Sequence, residues 1–169
     1  STGNLNERTA KVYGDHCLLT SDRHIMADVN RMFNYLENHK EGIEPLKGCK
    51  FLIPCPTSLR RELVKMIARE TKLAREKKPA AMTLKMNSLS DEDLIDKLYE
   101  AAKAGVKIQL IIRGIFCMFS ENSKFLIPVK AISIIDEYLE HARVFIFHNG
   151  GKEKTYISSA DWMVRNLDH

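Results

Sequence analysis

The sequence predicts an α/β fold, on three observations. Across residues 57–112, apolar residues recur at helical spacing and then in short extended runs, in alternation. The run 106–112 is rich in Val, Ile and Leu, as a buried strand requires. A further apolar extended run begins just after His141 and leads to Gly150-Gly151, a turn signal that lets a second strand fold back on the first. With 169 residues, 44% hydrophobic and 28% charged, the chain is long enough for one core-forming domain and has an ordinary globular balance.

Taken in order, Leu18-Leu19-Thr20-Ser21-Asp22 supplies a hydroxyl or carboxylate cap before a helix whose Ile25, Val29, Met32, Phe33 and Leu36 define one face, expected to be buried. Residues 38–48 carry Gly42, Pro45 and Gly48 among charges, break the pattern, and are the candidate interdomain linker. Residues 50–55 then read as a short buried strand ended by Pro54 and Pro56. Thr57-Ser58 caps a helix running to about Lys77, with Leu59, Leu63, Met66, Ile67 and Ala74 inward. Pro79 and the apolar residues after it start an extended segment over 81–86. Ser90-Asp91-Glu92-Asp93 starts the next helix, with acid in its first turn. Leu94, Ile95, Leu98, Tyr99 and Ala102 line one face, and Gly105 ends it. The strand at 106–112 is apolar enough to imply helices on either side, and its carboxyl end carries Arg113-Gly114.

The chemistry concentrates around Leu139-Glu140-His141-Ala142-Arg143. At the start of a strand, residues two apart share a face, so an imidazole is paired with a fixed cation. That pair suits a phosphoryl group: the guanidinium holds its oxygens bidentately while the imidazole exchanges a proton or takes the group itself. The hairpin after Gly150-Gly151 returns Ser158, Ser159 and Asp161 toward His141. Alone, the same residues read more readily as a strand-edge histidine and an ordinary Ser-rich turn. Ser1-Thr2-Gly3-Asn4 is a second small-hydroxyl turn and suggests an internal repeat. Arg113 lies where open α/β sheets bind ligands, beyond a strand's carboxyl end. By themselves, though, Arg113 reads also as a surface arginine, Tyr13 as a core aromatic, and Lys85 and Asn87 as solvated residues ending a strand.

A net charge of +4 permits an anionic ligand without demanding one, and a solvated basic face explains it as well; nucleic acid is allowed by it and not indicated. Cys17, Cys49, Cys55 and Cys117 lack Cys-x-x-Cys spacing, which argues against zinc and against a small disulfide framework, and fits free thiols in a reducing compartment. No apolar run approaches the ~20 residues that span a bilayer.

The segment Ser1-Thr2-Gly3-Asn4-Leu5-Asn6-Glu7-Arg8-Thr9-Ala10-Lys11-Val12-Tyr13-Gly14-Asp15, then Leu84-Lys85-Met86-Asn87-Ser88-Leu89, Ile112-Arg113-Gly114, Leu139-Glu140-His141 and Ile157-Ser158-Ser159-Ala160-Asp161-Trp162-Met163-Val164-Arg165-Asn166-Leu167-Asp168, in that order, resemble successive signatures of the long, phospholipase D-like polyphosphate kinase family. The resemblance implies a phospholipase D-like α/β domain, a mixed sheet flanked by helices, preceded by the end of a second similar domain. Residues 1–40 would end the first domain, 41–49 would link, and 50–169 would form most of the second, catalytic one. Family members are several times longer, with a helical region and a further domain upstream. Both chain ends therefore read as boundaries, the first inside a motif and the second short of an arginine-containing strand. The family's phosphorylated histidine belongs to a His-x-Lys motif upstream of the Thr-Gly-Asn turn. No such motif occurs here, so none of the six histidines takes that role.

What the resemblance implies about activity is reversible transfer of the terminal phosphoryl of ATP to inorganic polyphosphate through that upstream phosphohistidine. Arg113 and His141 would be catalytic and would contact the nucleotide phosphates, and Tyr13 would stack on adenine. Lys85, Asn87, Arg143 and Arg165 would face phosphate or polyphosphate. Mg2+ would arrive with ATP, its protein ligands lying outside this chain, which would hold no metal itself. ATP or ADP and polyphosphate are the expected partners, with no nucleic acid. A homo-oligomer, dimer or tetramer, is expected at full length, in the cytoplasm, with peripheral association at the inner membrane compatible with it. The isolated chain should make no polymer, because it lacks the nucleophile. The alternatives are a phospholipase D-like phosphodiesterase or nuclease, which would apply two-histidine logic to a diester, and a noncatalytic scaffold. Two departures from the family stand out. Ile115-Phe116-Cys117-Met118-Phe119 replaces a Gly/Pro-bearing loop, with Phe125-Leu126-Ile127-Pro128 adding apolar bulk within 115–130, and Glu137 stands where a basic residue is expected.

Overall fold

The computed structural model describes residues 1–38 and 42–168. In chain order these form α1 (Glu7–Ala10), β1 (Tyr13–Gly14), α2 (Arg23–Glu37), α3 (Glu44–Lys47), α4 (Leu59–Arg75), β2 (Ala81–Met86), α5 (Glu92–Ala104), β3 (Lys107–Ile112), β4 (Lys130–Ile132), β5 (Leu139–Glu140), β6 (Arg143–Phe147), a 3₁₀ turn (Asn149–Gly151), β7 (Lys154–Ser158) and α6 (Val164–Leu167). Five strands make a mixed sheet in the order β4-β3-β2-β6-β7. β2, β3 and β4 run parallel, β6 is antiparallel to β2, and β7 is antiparallel to β6. β1 and β5 form a separate parallel pair, with Tyr13 opposite Leu139 and Gly14 opposite Glu140.

The core lies between α4, α5 and one face of this sheet. Leu63, Ile67, Leu94 and Leu98 from the helices meet Met82, Leu84, Ile108, Leu110, Phe145 and Phe147 from the strands, all sealed from solvent. Each such side chain contributes about 1.5–3 kcal/mol relative to remaining exposed. α5 follows its sequence signals closely. The Asp91 carboxylate accepts the Leu94 N–H at the amino end, and Gly105 ends the helix at φ 93°, a left-handed conformation that favours glycine.

Four expectations are corrected. Residues 50–55 do not form a strand, because the backbone N–H groups of Lys50, Phe51 and Leu52 all donate to Oδ2 of Asp28 (2.8, 2.6 and 3.0 Å) and leave nothing for a ladder. The Thr57 and Ser58 hydroxyls do not cap α4; both donate to the Pro54 carbonyl. α2 forms where predicted, capped by Asp22, but its face is not buried. Phe33 and Leu36 are exposed, while Ile25, Val29 and Met32 border a 690 Å³ groove walled opposite by Leu63, Phe145 and Tyr156. The one buried α2 residue is Asp28, so this helix is anchored by a carboxylate rather than by its apolar stripe. Finally, β3 is not covered on both sides. Thr83, Gln109, Ile111, Val144 and Ile146, facing away from α4 and α5, are only half-buried. Of the predicted linker, residues 39–41 lie outside the described residues; Pro45 sits in the first turn of α3, whose Leu46 is buried.

Candidate functional site

Strand register assembles the site. Met86 pairs with Ile112, so the next residues, Asn87 and Arg113, emerge side by side at the carboxyl ends of β2 and β3. There the Gly114 N–H reaches the Asn87 carbonyl (2.7 Å), and Arg113 Nε donates to Asn87 Oδ1 (3.1 Å). Its two terminal nitrogens make no hydrogen bond among the described residues. β6 is antiparallel to β2, so its first residue, Arg143, starts at this same end, and β7 returns to place Ser158 opposite Arg143 and Asp161 just beyond.

The hairpin thus delivers a buried ion pair. Arg143 forks onto Asp161, Nε to Oδ1 at 3.1 Å and Nη2 to Oδ2 at 2.9 Å, both residues being about 7% exposed. Its Nη1 donates to the Thr2 and His141 carbonyls (3.0 and 3.1 Å) and lies beside the His141 ring, 3.1 Å from Nε2. Asp161 also accepts the backbone N–H groups of Asn87 and Ser88. Burial pushes its carboxyl up, but the Arg143 fork and these N–H groups outweigh that and hold it below the ordinary aspartate value.

His141 lies between β5 and β6, not inside a strand, and its N–H and that of Ala142 both donate to the Gly14 carbonyl (3.1 and 3.0 Å). The Tyr13 ring meets the imidazole edge-on, centroids 4.9 Å apart at 72°. Asp15 Oδ1 sits 2.9 Å from His141 Nδ1. Burial again raises the Asp15 carboxyl, and the Thr2 hydroxyl, the His141 hydrogen bond and the neighbouring His141 and Arg143 charges bring it net downward. One hydrogen-bonded chain therefore runs from Asp15 through His141, Arg143, Asp161 and Asn87 to Arg113, with Tyr13 against its histidine.

The residues singled out from the sequence divide accordingly. Tyr13, Asn87, Arg113, His141 and Arg143 come together. Lys85 is near but committed: its ammonium donates to the Ala142 carbonyl (2.9 Å) and pairs with Glu140 (3.1 Å), clamping the turn that carries His141. Arg143 is likewise committed, a buried strut rather than a solvent-facing cation. The Ser158 hydroxyl accepts the Ala160 N–H within its own turn, and Ser159 is exposed. Arg165, on α6, is exposed and makes no hydrogen bond or ion pair among the described residues. The divergent 115–130 loop is tied down by hydrogen bonds between Leu89 and both Ile115 and Cys117, and by buried Met118, Phe125 and Val129. Spacing and composition do not mark Asp15 and Thr2, although both lie in the family-like segment 1–15. Their role needs the β1–β5 pairing, which joins residues far apart in sequence.

Chemically, the arrangement offers a flat aromatic face, an imidazole and a guanidinium fork with free donors, a set suited to a phosphorylated aromatic ligand. Among the described residues no three His, Cys, Asp or Glu side chains gather so as to hold a metal ion, and no helix is long and apolar enough to cross a membrane.

Comparison with known proteins gives a consistent result. The family model "Polyphosphate kinase C-terminal domain 2" matches residues 52–169, and "Polyphosphate kinase C-terminal domain 1" matches residues 1–42. The chain is 44% identical over 168 residues to the polyphosphate kinase of Escherichia coli (strain K12), covering 99% of this chain and 24% of that protein. It is 44% identical over 170 residues to that of Vibrio cholerae, covering 99% of this chain and 23% of the relative. The crystal structure of polyphosphate kinase from Porphyromonas gingivalis superimposes with a TM-score of 0.83 at 38% identity, over 98% of this chain and 25% of that one. The chain thus spans about a quarter of the length of the curated relatives it matches.

Proposed function

The chain belongs to the polyphosphate kinase family, and from that premise we propose that it supplies part of the nucleotide and phosphoryl site of a longer enzyme that reversibly transfers the terminal phosphoryl of ATP to inorganic polyphosphate. The observation that carries this is the continuous network joining Tyr13, His141, Arg143, Asp161, Asn87 and Arg113. Tyr13 stacks on the adenine. Arg113, with its terminal nitrogens free, takes phosphate oxygens, and His141 attends the transferring phosphoryl. Asn87 aims Arg113 through its side-chain oxygen. Arg165 is solvent-exposed and offers a cation to the polyanion.

In the transfer, a bond from a histidine nitrogen to the terminal phosphorus forms as the phosphorus–oxygen bond to ADP breaks. A polyphosphate terminal oxygen then displaces that histidine. The nucleophile histidine lies outside this chain. Magnesium comes with the nucleotide: the carboxylates nearest His141 are already engaged, Asp15 by Thr2 and His141, Asp161 by Arg143, and so fit no protein-held metal. We infer for the full-length enzyme a cytoplasmic place of action, with peripheral association at the inner membrane compatible with it, and a homo-oligomeric state; nucleic acid is not among its expected partners.

The alternative, a phospholipase D-like phosphodiesterase, keeps the histidine and cations but has no use for Tyr13 beside them. Assaying the full-length polypeptide for ATP-dependent polymer formation and for hydrolysis of a phosphodiester separates the two. Polymer formation with no diesterase activity is expected; diester hydrolysis without polymer would replace the kinase reading.

A further inference from the structure

We propose that Asn87, its amide turned by Asp161, is the positioning residue that makes Arg113 meet phosphate end-on: the protein keeps Nε, while Nη1 and Nη2 face outward with their charge uncompensated. The inference rests on the reading of Arg113 as the residue that takes the nucleotide phosphates.

A side-chain amide has one accepting and one donating end, and the two neighbours of Asn87 leave no choice of which way it points. On one side lies Asp161, an ionised carboxylate that only accepts, its Oδ2 3.4 Å from Asn87 Nδ2. On the other lies Arg113, a guanidinium that only donates, its Nε 3.1 Å from Asn87 Oδ1. Each neighbour separately demands the amide nitrogen toward Asp161 and the oxygen toward Arg113. Asn87 is buried, and its backbone N–H also donates to Asp161 Oδ1 (2.8 Å), so the side chain starts from a fixed point. Asp161 cannot turn away in its turn, because Arg143 holds both of its oxygens.

The main chain of Arg113 is held by the same strand end. Its N–H reaches the Met86 carbonyl (3.4 Å), and the Gly114 N–H reaches that of Asn87 (2.7 Å). A Cβ on Gly114 would crowd the Asn87 carbonyl at 3.0 Å, so glycine there lets the ends of β2 and β3 close together. With main chain and Nε both fixed, the guanidinium has already lost much of the freedom that a long side chain otherwise gives up on binding. A guanidinium can fork through Nε and Nη2 or through Nη1 and Nη2. Arg143 uses the first edge, on Asp161, and its charge is spent there. In Arg113 the Asn87 oxygen closes that edge, which leaves the second for two oxygens of one phosphate group. The chemistry of the partner matters as much as its place. An amide is neutral, so it steers Arg113 without cancelling the charge, and among the described residues no carboxylate pairs with this arginine.

The test is ATP binding to the full-length polypeptide, by calorimetric titration, in a double-mutant cycle. Asn87→Leu keeps the size of the side chain and the backbone bond to Asp161 but offers Arg113 no acceptor. It should raise Kd for ATP about tenfold, the effect of losing one charge-assisted hydrogen bond. Kd for adenosine, which carries no phosphate for Arg113 to hold, should stay within about twofold. In an Arg113→Met background the same change should alter Kd for ATP by less than about twofold, because the residue through which Asn87 acts is gone. Asn87→Ala makes the same comparison if Asn87→Leu does not fold. An ATP affinity unchanged by loss of the amide, an equal loss for adenosine, or an equal loss with and without Arg113 would overturn the proposal. Wild-type protein that binds no ATP would remove the nucleotide reading and this proposal with it, a result told apart from the others because it precedes any substitution.

Discussion

At Asp161 a single carboxylate accepts from Arg143 twice and from the backbone of Asn87 and Ser88, so it ties together the ends of β2, β6 and β7. Replacing it with Asn leaves the Arg143 guanidinium buried without a counter-charge, which costs about 3–5 kcal/mol. The acid limb of stability follows from the same residue. Its folded-state value lies below the unfolded one, near 3.8. Its contribution is therefore fully present above that value and lost as pH falls through the lower, folded one. Urea midpoints taken down the acid range should fall steeply for the wild type and less steeply for Asp161→Asn; parallel curves would contradict this. At this scale the sequence was informative about identities and less so about roles. His141 beside Arg143 and the return of Asp161 are readable from spacing and the Gly150-Gly151 turn. That Arg143 and Lys85 would be consumed by Asp161 and by Glu140 with Ala142 is not, because whether a cation is free depends on what packs against it.

Among the elements, α4, α5, β2 and β3 were legible because breakers, periodicity and, for α5, the Asp91 cap act within a few residues of one another. α2 and the segment after it show where that logic stops. Both carry the right apolar residues, yet Asp28, a buried acid on an amphipathic helix, takes three backbone donors and decides the outcome for each. Amphipathic spacing tells that a face is apolar, not what covers it. Burial pushes the Asp28 carboxyl up, and the Leu52, Phe51 and Lys50 N–H groups with Arg31 more than offset this. Asp28→Asn should therefore loosen α2 from residues 50–52. A loss of about 1–3 kcal/mol is expected from weakened charge-assisted bonds. Amide hydrogen exchange at Lys50, Phe51 and Leu52 should accelerate about tenfold, with the α5 amides unaffected. Unchanged exchange at those three amides would show that something other than Asp28 holds the segment.

Over the whole molecule, the two regions matched by separate family models meet in one place. Residues 1–42 contribute Thr2, Tyr13 and Asp15, and residues 52–169 contribute Asn87, Arg113, His141, Arg143 and Asp161. Contacts between Asp15 and His141 and between Thr2 and Arg143 join them, so neither region forms the site alone. The most direct test is ATP-dependent polyphosphate synthesis by the full-length protein, comparing wild type with His141→Ala after confirming that the variant is folded. Our account predicts polymer from the wild type and a loss of about a hundredfold or more in the variant. Synthesis at the wild-type rate by folded His141→Ala would contradict it and make His141 a structural residue.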